Sequence, residues 1–403
     1  MIEKSGPQRL QYKYELNSIN YWIFDATFKA HESSENLIKQ APSLVRVIAP
    51  VNQKKFFMKK LIALFALCIS IIGCSSIPSI KQGQSLDEYL SSIPFSGSVL
   101  VARDRKILHA KGYGFANIDL KTPVTTETQF LIGSLGKQFT ALAVMQLQEQ
   151  GMLHLDDPIS KYLEDFPNGS KITIRNLLMH SAGLPDYIND WSNIKYQELS
   201  PDQLIDLFKN KPLRFTPGSK VEYSSSGYVV AGKIIEKISG LTYSEYIEKH
   251  IFLPLGMRQS AYGLNKNYAF GYKDKRPQKI VNLSIPYAAG ALSSSVSDLY
   301  LWDQSFYDLA LVTPKSISSI FPSDRDALGW GFGMGKYKVV AGLGWAIYET
   351  TYGPEYSHQG KIDGYSSVIA RFPNQRALIV ILSNEDQYDV WTLKNQIAKV
   401  IFN

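Results

Sequence analysis

Apolar positions follow two different spacings along this chain. In SGSVLVARDRKILHAKGYGFAN (residues 96–117) two apolar runs flank Asp104-Arg105, predicting two strands joined by a turn. Near the other end, SSVIARFP and RALIVILSNE lie on either side of Pro373-Asn374 and predict two more strands. Between these ends the pattern is mostly helical. Ser200-Pro201-Asp202-Gln203 offers an N-cap, a proline at the first helical position and a capping-box glutamine. Thr242 and Glu245 form a second capping box ahead of YIEKHIF, and VWTLKNQIAKVIF closes the chain as an amphipathic helix. Strands at both ends with helices between them imply one sheet assembled from both termini, with a helical insertion: an α/β (α+β) domain.

One helix does not fit the ordinary amphipathic pattern. FLIGSLGKQFTALAVMQLQEQGML (residues 130–153) places Ser134 and Lys137 three apart at its head, on one helical face. Phe139, Leu142, Val144, Met145 and Leu147 follow, and Gly151 reads as the stop. A polar pair at the entrance to so apolar a helix is costly unless it is satisfied or used. A helix N-terminus supplies backbone N–H groups and a positive dipole end, so a hydroxyl there suits nucleophilic attack. A lysine held in a dry site loses part of its charge and can move the serine's proton. For the motif taken alone, an N-cap serine beside a solvated lysine is the favoured reading. A second Ser-x-x-Lys, Ser192 and Lys195 in NDWSNIKYQ, lies in a polar stretch with no helix start at the serine, and is read as coincidence.

Composition sets the class. Of 403 residues, 45% are hydrophobic and 20% charged, which is globular rather than disordered. The net charge is +7, but from Cys74 onward 33 basic residues face 31 acidic ones, so the main body is nearly neutral and nothing argues for nucleic acid. Met58 begins MKKLIALFALCISIIGCSS, with a basic start, a short apolar run and a small-residue exit, which is a secretory signal pattern too short to span a membrane comfortably. Its end resembles a bacterial lipobox. That likeness implies that residues 58–73 leave with Cys68 and that Cys74 carries lipid, with Ser75 favouring the outer membrane. The mature chain would then hold no thiol. Residues 1–57 are read as an upstream extension from a mis-assigned start, or else as a cytoplasmic segment ending in an uncleaved anchor. Residues 74–91, Ser/Pro/Gly-rich at first, are read as the lipidated N-terminus and tether, and 92–403 as the catalytic domain.

Two later stretches change the weight of Ser134. VEYSSSGYVVAG carries Tyr223 just after the Pro217-Gly218 turn and ahead of a helix, and EYSHQGKIDGYSSVIARF carries His358-Gln359-Gly360, expected at the start of the penultimate strand. With ITIRNLLMHSAGLPDY and AAGALSSSVSDLYLW, this order of elements resembles the serine β-lactamase-like family, in the branch of class C β-lactamases, D-Ala-D-Ala carboxypeptidases and related esterases. The likeness runs from about Ser92 to the C-terminus.

The resemblance implies Ser134 as nucleophile, Lys137 as its activating partner and Tyr223 as general base or proton shuttle. It implies substrate contacts from Ser225, where the family usually has asparagine, and from His358 and Gly360, where class C β-lactamases usually carry Lys-Thr-Gly. The Lys361 N–H, with that of Ser134, would form the oxyanion hole. His180 is assigned to loop structure, and Trp330 and Trp345 are candidates for the cleft wall or the core. No metal-ligand spacing, G-x-S-x-G elbow, phosphate loop or dinucleotide fingerprint occurs, and no cofactor is expected. The expectation is a cell-envelope serine hydrolase that works through an acyl-enzyme on a small-molecule ester or peptide-like amide, held at the membrane through lipid on Cys74. A true class C-like β-lactamase, or a catalytically weak lipoprotein that binds peptidoglycan or a partner, remains the alternative.

Overall fold

The computed structural model describes residues 77–322 and 339–402. Its main sheet has seven antiparallel strands. These are β1 (Gly97–Arg103), β2 (Lys106–Tyr113), β3 (Val339–Ala341), β4 (Ala346–Thr350), β5 (Gly353–Ile362), β6 (Tyr365–Phe372) and β7 (Ala377–Ser383), in the spatial order β3-β4-β5-β6-β7-β1-β2. The two chain ends meet where β1 pairs with β7, from Gly97 opposite Ser383 to Arg103 opposite Ala377. The turn between β1 and β2 falls at Asp104 and Arg105, both at positive φ (49° and 64°), the backbone that a two-residue hairpin needs.

The long helices are α1 (Leu86–Ser92), α2 (Gly136–Glu149), α3 (Ser226–Ser239), α4 (Val296–Asp308) and α5 (Val390–Phe402). Both expected capping boxes form, at Ser200 with Gln203 and at Thr242 with Glu245. Strand side chains alternate between the faces of a sheet, and here both faces are covered. Leu100, Ala102, Ile369, Leu378 and Val380 join the core under the helical insertion, while Val99, Val101, Val368, Ala370 and Ile379 pack against α1 and α5. On that second face Lys394 of α5 donates to Glu355 of β5 at 2.7 Å, a buried pair whose lysine pKa is lowered by burial and held up by the carboxylate. From Ile77 onward the stretch read as tether packs on the body: Ile77 and Ile80 lie against the second core, and Tyr89 OH donates to the Pro78 carbonyl at 2.7 Å. Among the described residues no helix is long and apolar enough to cross a membrane. The signal segment, Cys74 and Trp330 lie outside the described residues.

Three expectations shift. Ser134 does not open the α-helix; it sits in a 3₁₀ turn, Gly133–Leu135, and α2 starts at Gly136. The stretch holding His358 is a strand of its own. The Asp363-Gly364 turn, with Gly364 at φ +86°, divides EYSHQGKIDGYSSVIARF into β5 and β6, so His358 lies in the second half of the antepenultimate strand. Trp345 belongs to the core, 1% exposed beside Phe306 and Phe321.

Candidate active site

Two side chains converge on the Ser134 hydroxyl, one from the next turn and one from 89 positions on. Lys137 Nζ donates to Ser134 Oγ at 3.0 Å and Tyr223 OH donates to it at 2.8 Å. Helical spacing brings Lys137 over the serine. A second contact holds it there, since Nζ also donates to the Ala289 carbonyl at 2.8 Å. That carbonyl lies in the short helix Tyr287–Gly290, which gives the AAGAL stretch a place in the site. Tyr223 precedes α3 by three residues, and its ring stacks on His180 at 4.4 Å between centroids. The imidazole of His180 is fixed in turn by Ser224, whose backbone N–H donates to Nδ1 at 3.1 Å.

β5 closes the other side. His358 and Gly360 share one face of the strand, and a Cβ on Gly360 would lie 1.9 Å from the Ile132 carbonyl. A Cβ on Gly133, itself at φ +52°, would lie 2.9 Å from the Lys361 nitrogen and 2.8 Å from its carbonyl oxygen. The two glycines therefore let the serine turn and the strand touch backbone to backbone. Ser367 Oγ on β6 secures the contact by donating to the Ile132 carbonyl at 2.9 Å. Lys361 points its exposed side chain to the opposite face, the one on which Glu355 meets α5, so only its backbone faces Ser134.

Burial sets the charges. Lys137 is fully buried, and loss of solvation lowers its pKa to about 7 against a small upward pull from Asp186. Burial raises the Tyr223 phenol above its ordinary value, while its contacts with Ser134 and Ser225 oppose the shift. His358 falls to about 4 through burial and the nearby Lys137, against its Nδ1 contact with the Gln359 carbonyl at 2.6 Å. Burial likewise takes His180 well below the usual histidine range. Near neutral pH both imidazoles and the phenol are uncharged, and the lysine is poised.

The predicted site residues separate cleanly. Ser134, Lys137, Tyr223, Ser225, His358 and Gly360 come together, with Lys361 contributing backbone. Ser192 and Lys195 do not join them, for Lys195 Nζ donates to Asp363 Oδ2 at 2.5 Å. The residue missed was Asp186. Its Oδ1 accepts from the backbone N–H groups of Ser225, at 3.2 Å, and Ile188, at 3.3 Å. Its charge reaches both Lys137 and Tyr223. The only signal was its place directly after the HSAGLP stretch.

A nucleophile-like serine between an amine and a phenol, on a helical insertion packed against an antiparallel sheet, defines a serine hydrolase of the penicillin-recognising fold. Residues 94–399 match the Beta-lactamase family, and the chain belongs to it. It is 32% identical to the putative penicillin-binding protein PbpX of Bacillus subtilis (strain 168), over 76% of this chain and 75% of that protein. It is 30% identical to a teichoic acid D-alanine hydrolase of Staphylococcus aureus, over 58% of this chain and 59% of that protein. The fold is similar to the crystal structure of a penicillin binding protein from Bacillus halodurans, with a TM-score of 0.67 and 26% identity, covering 76% of this chain and 96% of that one.

Proposed function

We propose that this chain hydrolyses a small ester or peptide-like amide in the cell envelope through an acyl-enzyme on Ser134. The observation that carries the reading is the placement of Ser134 Oγ between Lys137 Nζ at 3.0 Å and Tyr223 OH at 2.8 Å. The neutral fraction of Lys137 takes the hydroxyl proton as Oγ bonds to the substrate carbonyl carbon. The Ser134 and Lys361 N–H groups receive the negative charge on the carbonyl oxygen. Tyr223, kept protonated by burial, hands its proton to the leaving oxygen or nitrogen and regains one from Lys137. Water then attacks the ester carbonyl with the same groups in reverse, releasing the acid and restoring Ser134. The signal pattern and Cys74 support an exported, lipid-anchored protein facing the periplasm, and relatives named penicillin-binding protein and teichoic acid D-alanine hydrolase support an envelope substrate.

The pocket argues against efficient β-lactam turnover. A β-lactam carries a carboxylate, and His358 with a pKa of about 4 offers no cation to receive it near pH 7. Ser225 lacks the amide that would grip an acyl amide. The loss of one charge-assisted contact costs about one to two orders of magnitude in rate. Comparing kcat/KM for nitrocefin and for short-chain p-nitrophenyl esters on one preparation tests this. The ester is expected to be clearly faster; nitrocefin at or above the best ester would make the protein a β-lactamase.

A further inference from the structure

The strand that closes the site has an open edge. β4 pairs with β5 only from Gly353 to Ser357, where Ala346 stands opposite. Among the described residues no strand pairs with residues 358–362 on that edge. Ile132 and Gly133 approach this stretch at Gly360 and Lys361, so the Ser134 turn sits partway along it. A substrate whose carbonyl reaches the Lys361 N–H therefore extends one arm toward His358 and the other toward Asp363. The helical insertion forms the facing wall. At the His358 end that wall is Tyr223, whose ring lies 6.1 Å from the imidazole between centroids.

At the other end the wall is tied to the strand. Asp363 directly follows β5, and both of its oxygens are taken up by the insertion. Trp191 Nε1 donates to Oδ1 at 3.0 Å, and Lys195 Nζ donates to Oδ2 at 2.5 Å. Trp191 opens the short helix Trp191–Ile194 and Lys195 caps it, so a spacing of four puts both donors on one face. The tie is braced from both sides. Upstream, Ser226 Oγ of α3 donates to the Pro185 carbonyl at 2.7 Å and accepts from the Tyr187 N–H at 3.0 Å. Downstream, the Lys195 carbonyl accepts from the Asn282 N–H at 2.8 Å, and Ser284 Oγ accepts from the Leu199 N–H at 3.0 Å. The lysine of the second Ser-x-x-Lys thus has work to do, while Ser192 is exposed and takes no part.

We infer that the Trp191–Lys195–Asp363 tie is a stop at one end of the substrate slot and limits the acyl arm to a short chain. This deepens the acyl-enzyme reading and rests on it. The tie stands at the acyl end because the chain reaches it from Asp186, which accepts from the N–H of Ser225. Two residues separate Lys361 from Asp363, so the stop is no more than about 7 Å along the chain from the oxyanion N–H. Trp191, Lys195 and Asp363 act as positioning residues: they hold the wall against the strand and do not touch the reacting atoms. In an unstopped apolar groove a longer acyl chain would gain binding instead.

Rates on p-nitrophenyl butyrate and octanoate, for the wild type and for Trp191→Phe, Lys195→Met and the double variant, test the stop. Phenylalanine keeps the ring without the N–H, and methionine keeps the stem without the charge. The wild type should favour butyrate by about tenfold or more in kcat/KM. The double variant should raise the octanoate-to-butyrate ratio by about tenfold while butyrate changes by less than about threefold, and Lys195→Arg, which keeps the charge, should hold the wild-type ratio. Lengthening the alcohol from methyl to hexyl butyrate should give the same ratio in every variant. A purely structural tie would lower both acyl esters together and leave their ratio intact. That result, or a wild type that turns over octanoate as well as butyrate, overturns the inference. Failure of a fluorophosphonate to label Ser134 at all instead removes the acyl-enzyme reading beneath it.

Discussion

On the proposed mechanism, burial and the Ala289 carbonyl make Lys137 the base that other hydrolases supply separately. The ammonium cannot accept a proton and the free amine can, and the pKa lies at about 7. Activity on a p-nitrophenyl ester should therefore rise with pH through about 7 and level off above it. His358, at about 4, has already lost its proton over that range and should add no step. Lys137→Arg should stay inactive to pH 9, because arginine keeps its charge; a flat wild-type profile from pH 5 to 9 would exclude Lys137 as the base. The spacing of Ser134 and Lys137 drew attention to them, but their weight, and Tyr223 altogether, came from the order of motifs that resembles the family's. Asp186 was not legible, because a carboxylate after a proline looks like any loop residue. Its meaning comes from Ser225, which lies 39 positions away in the chain.

At the scale of elements, the site depends on β5 lying against the Gly133–Leu135 turn. Gly360→Ala puts a methyl group into the Ile132 carbonyl and the Ser367 hydroxyl. Overpacking of this kind costs about 1–3 kcal/mol and moves the strand. The variant should fold with a lower Tm and lose most of its activity, since the Lys361 N–H shifts with the strand; unchanged kcat/KM would mean that the contact does not align the site. The capping boxes and the end strands were readable because their signals are local. β3, β4 and the division of β5 from β6 were not, because each depends on turns whose need shows only when the strands are paired. The 3₁₀ turn at Ser134 was missed for a similar reason: Gly133 lies close against the Lys361 backbone of β5, an approach that shows only once the strand is in place.

At the scale of the molecule, both ends of the described chain supply the sheet, and the insertion supplies the Ser134 turn, Lys137 and Tyr223. That architecture followed from strand-like patterns at both ends with helical ones between. The two cores did not, since a strand buried on both faces reads as an unbroken apolar run in either case. Ile77 already packs on the body, three positions after Cys74, so lipid on that cysteine would hold the domain close to the bilayer. Expressed in a Gram-negative host, the protein should fractionate with membranes and show the intact mass of a lipid-linked chain that begins at Cys74. A mature form that retains residues 1–57 contradicts the signal-peptide assignment. The central claim, an acyl-enzyme on Ser134, is tested most directly by intact-mass measurement of the folded protein after treatment with a fluorophosphonate, followed by peptide mapping. One adduct per chain, located on Ser134 and absent from a Ser134→Ala variant with unchanged circular dichroism, is the expected result. No adduct, or an adduct on Ser192 or elsewhere with Ser134→Ala still active, would contradict it.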